Sequence, residues 1–218
     1  MRATKTPALL LALLLSACAG VQENKSETTP EVLYAEAQAE AKDKEYERAQ
    51  KILDRIRDDF PFSKVAVEAE LLGADLAFDQ EKFEEATAAY KSFEDLHPTH
   101  PRVSYAVLRR GLAQMALSRP EDRDQTATRG AAEAFQRLLH ASPDGPYAAE
   151  ARQKLAEARG RLAAHELYVA SFYLRREQPD AARVRLETLL KDYPDAPQRE
   201  EAARLLAQVD ADATSGPK

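Results

Sequence analysis

One pattern recurs four times along the chain and limits what the chain can fold into. Each copy contains a proline, and eight residues after the proline stands an alanine. Another alanine precedes the proline by twelve residues, and large apolar residues precede it by eight and by five. The prolines are Pro61, Pro98, Pro143 and Pro194. Agreement at four positions in four copies indicates a repeated structural unit.

The repeated residue types are those of a helical hairpin. A small residue lets two helices approach closely, and the large residues share one helix face. Proline ends the helix because it disfavours helical geometry at the residue before it. The alanines twelve residues before the prolines are Ala49, Ala86, Ala131 and Ala182, and those eight residues after them are Ala69, Ala106, Ala151 and Ala202. The large residues eight before the prolines are Leu53, Tyr90, Phe135 and Leu186, and those five before are Ile56, Phe93, Leu138 and Leu189.

This pattern matches the second half of a tetratricopeptide repeat, whose period is about 34 residues. We therefore predict an all-α, tetratricopeptide-like α-solenoid over residues 31–209, with about nine helices in four to five helical hairpins. One long helix is expected near 146–176. A generic helical bundle is the alternative. Three further prolines, Pro101, Pro146 and Pro197, are expected in the first turn of the helix that follows.

The N-terminus predicts export from the cytoplasm. The basic residues Arg2 and Lys5 precede an apolar run over 8–15, which small residues follow. This is the pattern of a secretory signal peptide, here over 1–17, and the apolar run is too short to span a bilayer.

The end of that signal resembles a bacterial lipobox, the sequence Leu-Ser-Ala-Cys that closes on Cys18. The resemblance implies that the Cys18 sulfur takes a diacylglyceryl group after the signal is cut, and the following alanine favours the outer membrane. An ordinary cleaved signal with a free cysteine is the alternative. The polar residues up to position 30 then predict a flexible tether over 18–30, and 210–218 predict a disordered tail.

Charge and residue types exclude several functions. The formal net charge is −6 and no basic stripe is present, so the chain is a poor candidate for binding nucleic acid. His97 and His100 have the spacing H-x-x-H, but prolines flank them and no ligand cluster accompanies them, so we interpret them as loop residues. The chain contains no glycine-rich phosphate loop and no G-x-S-x-G motif. We predict no catalytic residue, no metal and no cofactor.

Three segments of the chain are specific enough to indicate a family: LHPTHPRVSYAVLRRGLAQMAL at 96–117, EDRDQTATRGAAEAF at 121–135 and ELYVASFYLRREQPDAARVRLETLLKDYPDA at 166–196. They resemble the BamD family of outer-membrane lipoproteins. The resemblance implies a non-catalytic scaffold of the machinery that assembles β-barrel proteins, anchored by lipid to the periplasmic face of the outer membrane. The implied partners are the POTRA domains of the barrel subunit BamA, other Bam lipoproteins and unfolded β-barrel substrates.

The resemblance also implies one partner-binding residue. Arg185 occupies the position of a family arginine that forms a salt bridge to the last POTRA domain. A guanidinium can bind a carboxylate through two parallel hydrogen bonds, which fixes orientation as well as affinity. The alternative is an ordinary solvent-facing arginine, because Arg175, Arg176 and Arg183 stand nearby.

Two departures from the family limit what carries over. Between Leu117 and Asp122 the chain has only SRPE, where the family carries a longer insertion, and only one helix is expected after Pro197. Two other functions stay open at this point. One is a different periplasmic tetratricopeptide lipoprotein that serves as an adaptor for envelope hydrolases or division proteins, and the other is an enzyme with an unrecognised site in the groove.

Overall fold

The chain folds into a series of α-helices joined by short turns. The structure is a computed structural model that describes residues 28–214. In that range the helices are α1 (Pro30–Lys42), α2 (Tyr46–Asp59), α3 (Lys64–Asp79), α4 (Phe83–Leu96), α5 (Val103–Ala116), α6 (Thr126–Ala141), α7 (Ala148–Arg175), α8 (Pro179–Asp192) and α9 (Arg199–Thr214). The predicted all-α solenoid of helical hairpins is confirmed. None of these helices combines the length and the hydrophobicity needed to cross a bilayer.

The core is divided into four clusters along the solenoid. In each cluster one even-numbered helix packs between the odd-numbered helices before and after it: α2 between α1 and α3, α4 between α3 and α5, α6 between α5 and α7, and α8 between α7 and α9. Neighbouring hairpins therefore share an odd-numbered helix, which is how a solenoid forms a continuous core from small units.

The repeated residues of the sequence form the centre of these clusters. None of the repeated alanines and large apolar residues is more than 4% exposed. The alanines allow close helix approach, and the large side chains fill the space between the three helices of each cluster. The long helix α7, with 28 residues, is about 42 Å long and contributes to two clusters. Helices α3 and α5 contribute to two clusters along one and the same stretch, whereas α7 contributes to its two clusters from successive halves and is longer for this reason.

The four prolines of the repeat lie in the turns after α2, α4, α6 and α8, as predicted. In each turn the carbonyl before the proline accepts a hydrogen bond from the amide two residues after it, as in His97 O with His100 N at 3.0 Å. The second prolines, Pro101, Pro146 and Pro197, correct the prediction. They precede the first helical residue by two positions, where their fixed φ suits a second turn that leads into the helix.

The turns after α1, α3 and α7 contain no proline and close differently. Each holds one non-glycine residue with positive φ: Lys44 at 63°, Glu81 at 59° and Glu177 at 57°. Around Lys44, the amide of Glu45 donates to the carbonyl of Glu40 at 2.9 Å, the longer bond of a Schellman motif. These turns stop a helix without proline by reversing the backbone through the left-handed region.

Helix α9 corrects the predicted tail. It continues through Thr214, so residues 210–214 are helical and not part of a disordered tail. Val209 is buried, and Asp210 pairs with Arg183 of α8 at 3.0 Å, which fixes this part of α9 against α8. The predicted signal peptide, Cys18, the predicted tether up to residue 27, and residues 215–218 lie outside the described residues.

Candidate partner-binding site

Arg185 projects from α8 next to the long helix α7. Its Nη1 donates to Oε2 of Glu166 on α7 at 3.2 Å. The Arg185 side chain is 41% exposed, whereas the Glu166 side chain is 14% exposed. The guanidinium is therefore oriented by one partly buried carboxylate while part of the guanidinium still faces solvent. Because the arginine is this exposed, the pair itself contributes little to stability, less than about 1 kcal/mol.

Exposed apolar side chains also occur on the two helices that the Arg185–Glu166 pair joins. Val184, the next residue on α8, is exposed, and so are Tyr168 and Phe172, one turn apart on α7. The guanidinium of Arg176 lies over the Phe172 ring at 5.4 Å from its centroid. Exposed aromatic residues together with arginines are the side chains that protein interfaces favour at their centres. We use the name Arg185 surface for the exposed parts of α7 and α8 that carry these residues.

A second polar cluster lies nearer the N-terminus and is centred on Asp75 of α3. Two tyrosine hydroxyls donate to Asp75 Oδ1, that of Tyr90 at 2.5 Å and that of Tyr105 at 2.9 Å. Arg109 Nε donates to the Tyr90 hydroxyl at 3.1 Å and lies 3.6 Å from Asp75 Oδ1. The Arg109 guanidinium also lies over the Phe78 ring at 3.7 Å from its centroid. This Asp75 cluster ties α3, α4 and α5 together.

Burial raises the pKa values of Asp75 and of the two tyrosines bound to it. Burial raises the pKa of Asp75 above its ordinary value of 3.8, although the tyrosine hydrogen bonds and the nearby arginines oppose the shift. Burial and the Asp75 charge raise the pKa of both Tyr90 and Tyr105. A tyrosine that acts as a base or a nucleophile needs a lowered pKa, so the shifts of Tyr90 and Tyr105 have the wrong direction for either role. The arrangement fits a structural clamp.

The Asp75 cluster continues along the odd-numbered helices. Arg102 at the start of α5 donates to Glu68 of α3 at 2.8 Å, and its guanidinium lies 5.0 Å from the Tyr105 ring centroid. The Tyr105 and Tyr147 rings stand 6.0 Å apart, which extends the row to the start of α7. Partly exposed tyrosines and arginines of α5 and the start of α7, together with the carboxylates of α3, form one face across three helices, and we call it the odd-helix face.

The histidines pair with carboxylates and a carbonyl. His97 and His100 lie in the turn after α4, as predicted, with Nε2 atoms 2.8 Å from Glu70 and 3.4 Å from Glu68. His165 Nδ1 lies 2.6 Å from the carbonyl oxygen of Glu121. Among residues 28–214, no three histidine, cysteine or acidic side chains gather in a way that could hold a metal ion.

Sequence reasoning did not identify the two clusters that join neighbouring hairpins. One is the Asp75 cluster, and the other is the carboxylate of Glu94, which Arg110 and Arg137 bind from α5 and α6. A signal was present for the first: at the repeat position eight residues before the proline, only Tyr90 carries a hydroxyl. A buried hydroxyl needs a hydrogen-bond partner, so Tyr90 predicts a polar neighbour.

A family model described as YfiO, outer membrane lipoprotein, matches residues 26–217. The outer membrane protein assembly factor BamD of Neisseria gonorrhoeae is 32% identical over 212 residues, which cover 90% of this chain and 79% of that protein. The assembly factor BamD of Vibrio cholerae serotype O1 is 32% identical over 218 residues, which cover 94% of this chain and 88% of that protein.

Among solved structures, a putative kinesin light chain of Podospora anserina with nearly identical TPR-like repeats matches 83% of this chain and 92% of its own. Its TM-score is 0.49 and its sequence identity is 15%. The family model covers the whole range of the described helices, from α1 to α9. The chain therefore belongs to the YfiO family of outer membrane lipoproteins.

Proposed function

We propose that the protein is a non-catalytic scaffold of the machinery that assembles β-barrel proteins in the outer membrane. The relatives named as outer membrane protein assembly factors support this role, because they cover nearly the whole chain. The fold supports it as well, since a stack of hairpins offers long binding surfaces. The raised pKa values of Tyr90 and Tyr105 fit a structural role for the Asp75 cluster.

The Arg185 surface binds a POTRA domain of BamA, and the proposed scaffold role depends on this contact. The partly exposed guanidinium of Arg185 is oriented by Glu166 before binding, so little side-chain entropy is lost when a partner carboxylate arrives. The exposed side chains of Val184 on α8 and Phe172 on α7 add apolar area to the same two helices.

The odd-helix face receives unfolded β-barrel substrates. Partly exposed Tyr105 and Tyr147 provide apolar area with a polar tip, and Arg102 adds charge beside Tyr105. An extended segment on such a face would make many modest contacts, which permits binding of many different sequences. A photo-crosslinking residue in place of Tyr147 should capture unfolded substrate, whereas one in place of the exposed Ala88 of α4 should not.

A lipid on Cys18 holds the protein at the periplasmic face of the outer membrane, where other Bam lipoproteins join it. Two or more acyl chains are needed for durable attachment, and lipoprotein processing supplies them. The mass of the protein purified from membranes tests this directly. Processing before Cys18 with added acyl chains is expected, and an unmodified cysteine would contradict the anchor.

Co-purification from native membranes tests the proposed contact with BamA. The wild-type protein should bring BamA with it, and Arg185→Glu should reduce the amount of BamA recovered while the helical circular dichroism stays unchanged. Lys191→Glu is the matched control, because it makes the same charge change at an exposed position of the same helix. Recovery of peptidoglycan hydrolases or division proteins without BamA would overturn the proposal and favour an envelope adaptor.

A further inference from the structure

Three large apolar side chains are exposed at one end of the solenoid. Phe62 in the turn between α2 and α3 is 100% exposed, Leu96 at the end of α4 is 65% exposed, and Val32 in the first turn of α1 is 54% exposed. Helices alternate in direction, so the start of α1, the turn after α2 and the end of α4 all lie at the same end of their hairpins. We call this end of the first two hairpins the apolar edge.

The fold does not require apolar residues there. The four proline turns share the same hydrogen bonds, so their positions can be compared one to one. At the position directly after the proline, the first turn has Phe62, whereas the other turns have Thr99, Asp144 and Asp195. Similarly, two residues before the proline, Leu96 of the second turn corresponds to aspartate in the first and fourth turns and alanine in the third. The exposed apolar side chains are specific to the first two turns.

The apolar edge lies at the end of the solenoid where the chain enters from its N-terminus. Helix α1 begins there, at Pro30. The ten residue steps from Cys18 to Thr28 can span at most about 36 Å. A lipid on Cys18 would therefore keep this end of the solenoid within that distance of the bilayer surface.

The charges beside the apolar edge are largely neutralised by ion pairs. Asp59 pairs with Arg55 at 3.3 Å, Asp58 with Arg57 at 3.4 Å, and Asp95 with Lys91 at 2.5 Å. The exposed Lys64 of α3 is offset by the exposed Glu31 of α1, so the described residues leave no excess of basic side chains here to attract anionic lipids. A surface of this kind suits zwitterionic headgroups, with binding supplied by apolar insertion.

We propose that the apolar edge inserts into the headgroup region of a zwitterionic bilayer, with Phe62 as the main inserting side chain. The inference extends the proposed lipid anchoring. The acyl chains supply attachment, and the apolar edge sets the orientation of the solenoid, with its first two proline turns against the membrane.

The sequence contains no tryptophan and one cysteine, which allows a direct test. Residues 18–218 carrying Phe62→Trp are coupled through Cys18 to a maleimide phospholipid in vesicles of phosphatidylethanolamine and phosphatidylcholine. We expect the emission to shift to shorter wavelength and to lose most of its intensity when the lipids are brominated near the headgroup. Asp195→Trp is the matched control, because it occupies the same position in the fourth proline turn, and its emission should not respond.

Unchanged Phe62→Trp emission on coupled vesicles would overturn the inference and leave a protein partner to cover Phe62. An equal response of Asp195→Trp would also contradict it, because the fourth proline turn would then lie as close to the membrane as the first. A stronger response on anionic phosphatidylglycerol vesicles would overturn the assignment to zwitterionic lipid. The chemical coupling does not depend on natural lipidation, so failure of the proposed anchor, seen in the mass of the native protein, is a separate result.

Discussion

Gly111 and Gly160 both lie inside helices, but a methyl group at each would meet different surroundings. A Cβ at Gly111 of α5 would lie 2.5 Å from the ring of Phe135, which is fully buried, whereas a Cβ at Gly160 of α7 would have no neighbour within 4 Å. Gly111→Ala should therefore lower the free energy of unfolding by about 2 kcal/mol. Gly160→Ala should raise it by about 0.5–1 kcal/mol, because alanine is the better helix former.

Urea unfolding of both glycine variants checks this contrast. A similar change in both variants would show that the approach of α5 to α6 at Gly111 is less close than the structure has it.

Asp75 provides a prediction for pH. The pKa of Asp75 is raised in the folded protein above 3.8, its ordinary value in the unfolded chain. At a pH between the unfolded-state pKa and the folded-state pKa, the folded state therefore binds more protons than the unfolded state. The contribution of Asp75 to the free energy of unfolding is therefore fully present below pH 3.8, and it is lost as the pH rises through the pKa of the folded state. Asp75→Asn removes this contribution.

Urea unfolding of the wild type and of Asp75→Asn from pH 3 to pH 7 measures the effect. Going upward in pH from about 3.8, the stability of the wild type relative to the variant should fall and then level off. A relative stability that rises over this range would mean that the tyrosine and arginine contacts of Asp75, and not its burial, dominate its pKa.

At the scale of elements, Glu94 joins three helices. Its side chain is 3% exposed and binds Arg110 Nε at 2.6 Å and Arg137 Nη1 at 3.2 Å, while Arg137 is 60% exposed. Glu94→Gln leaves the buried Arg110 without its countercharge and should lower the free energy of unfolding by about 3 kcal/mol. Arg137→Ala should cost less than about 1 kcal/mol. Equal losses in chemical denaturation would contradict the dominance of the buried pair.

The turns without proline carry strain that glycine would relieve. Glu177 has a φ of 57°, in the left-handed region where a side chain is unfavourable. Glu177→Gly should raise the free energy of unfolding by about 0.5–1 kcal/mol, as measured by thermal or urea unfolding. Glu187→Gly, at an exposed position inside α8, should lower it by about 1 kcal/mol. A loss of stability in both variants would remove the strain argument.

The helices and the proline turns could be predicted from the sequence because their causes are local. Proline at a fixed distance from buried alanines is visible in the residues themselves, and the structure buries those alanines as expected. The end of α9 could not be predicted, since the contact of Asp210 with Arg183 joins residues far apart in sequence. The pairing of Arg185 with Glu166 was missed for the same reason.

At the scale of the whole molecule, α7 connects two groups of hairpins. Its N-terminal half packs with α5 and α6, and its C-terminal half packs with α8 and α9. Tyr147, at the end of the odd-helix face, stands at the start of α7, and Glu166, which orients Arg185, lies in the C-terminal half of the same helix. Helix α7 thus links the proposed substrate face with the proposed BamA contact, which allows one scaffold to hold both.

Titration of purified BamA POTRA domains with the wild-type protein and with the charge-exchanged variant Glu166→Arg, Arg185→Glu tests the central claim most directly. The exchange preserves an ion pair between α7 and α8 but presents the opposite charge to a partner. We expect at least about tenfold weaker binding, about 1.4 kcal/mol, with unchanged helicity. Binding equal to that of the wild type would show that Arg185 only joins two helices, and would contradict its role as the contact with BamA.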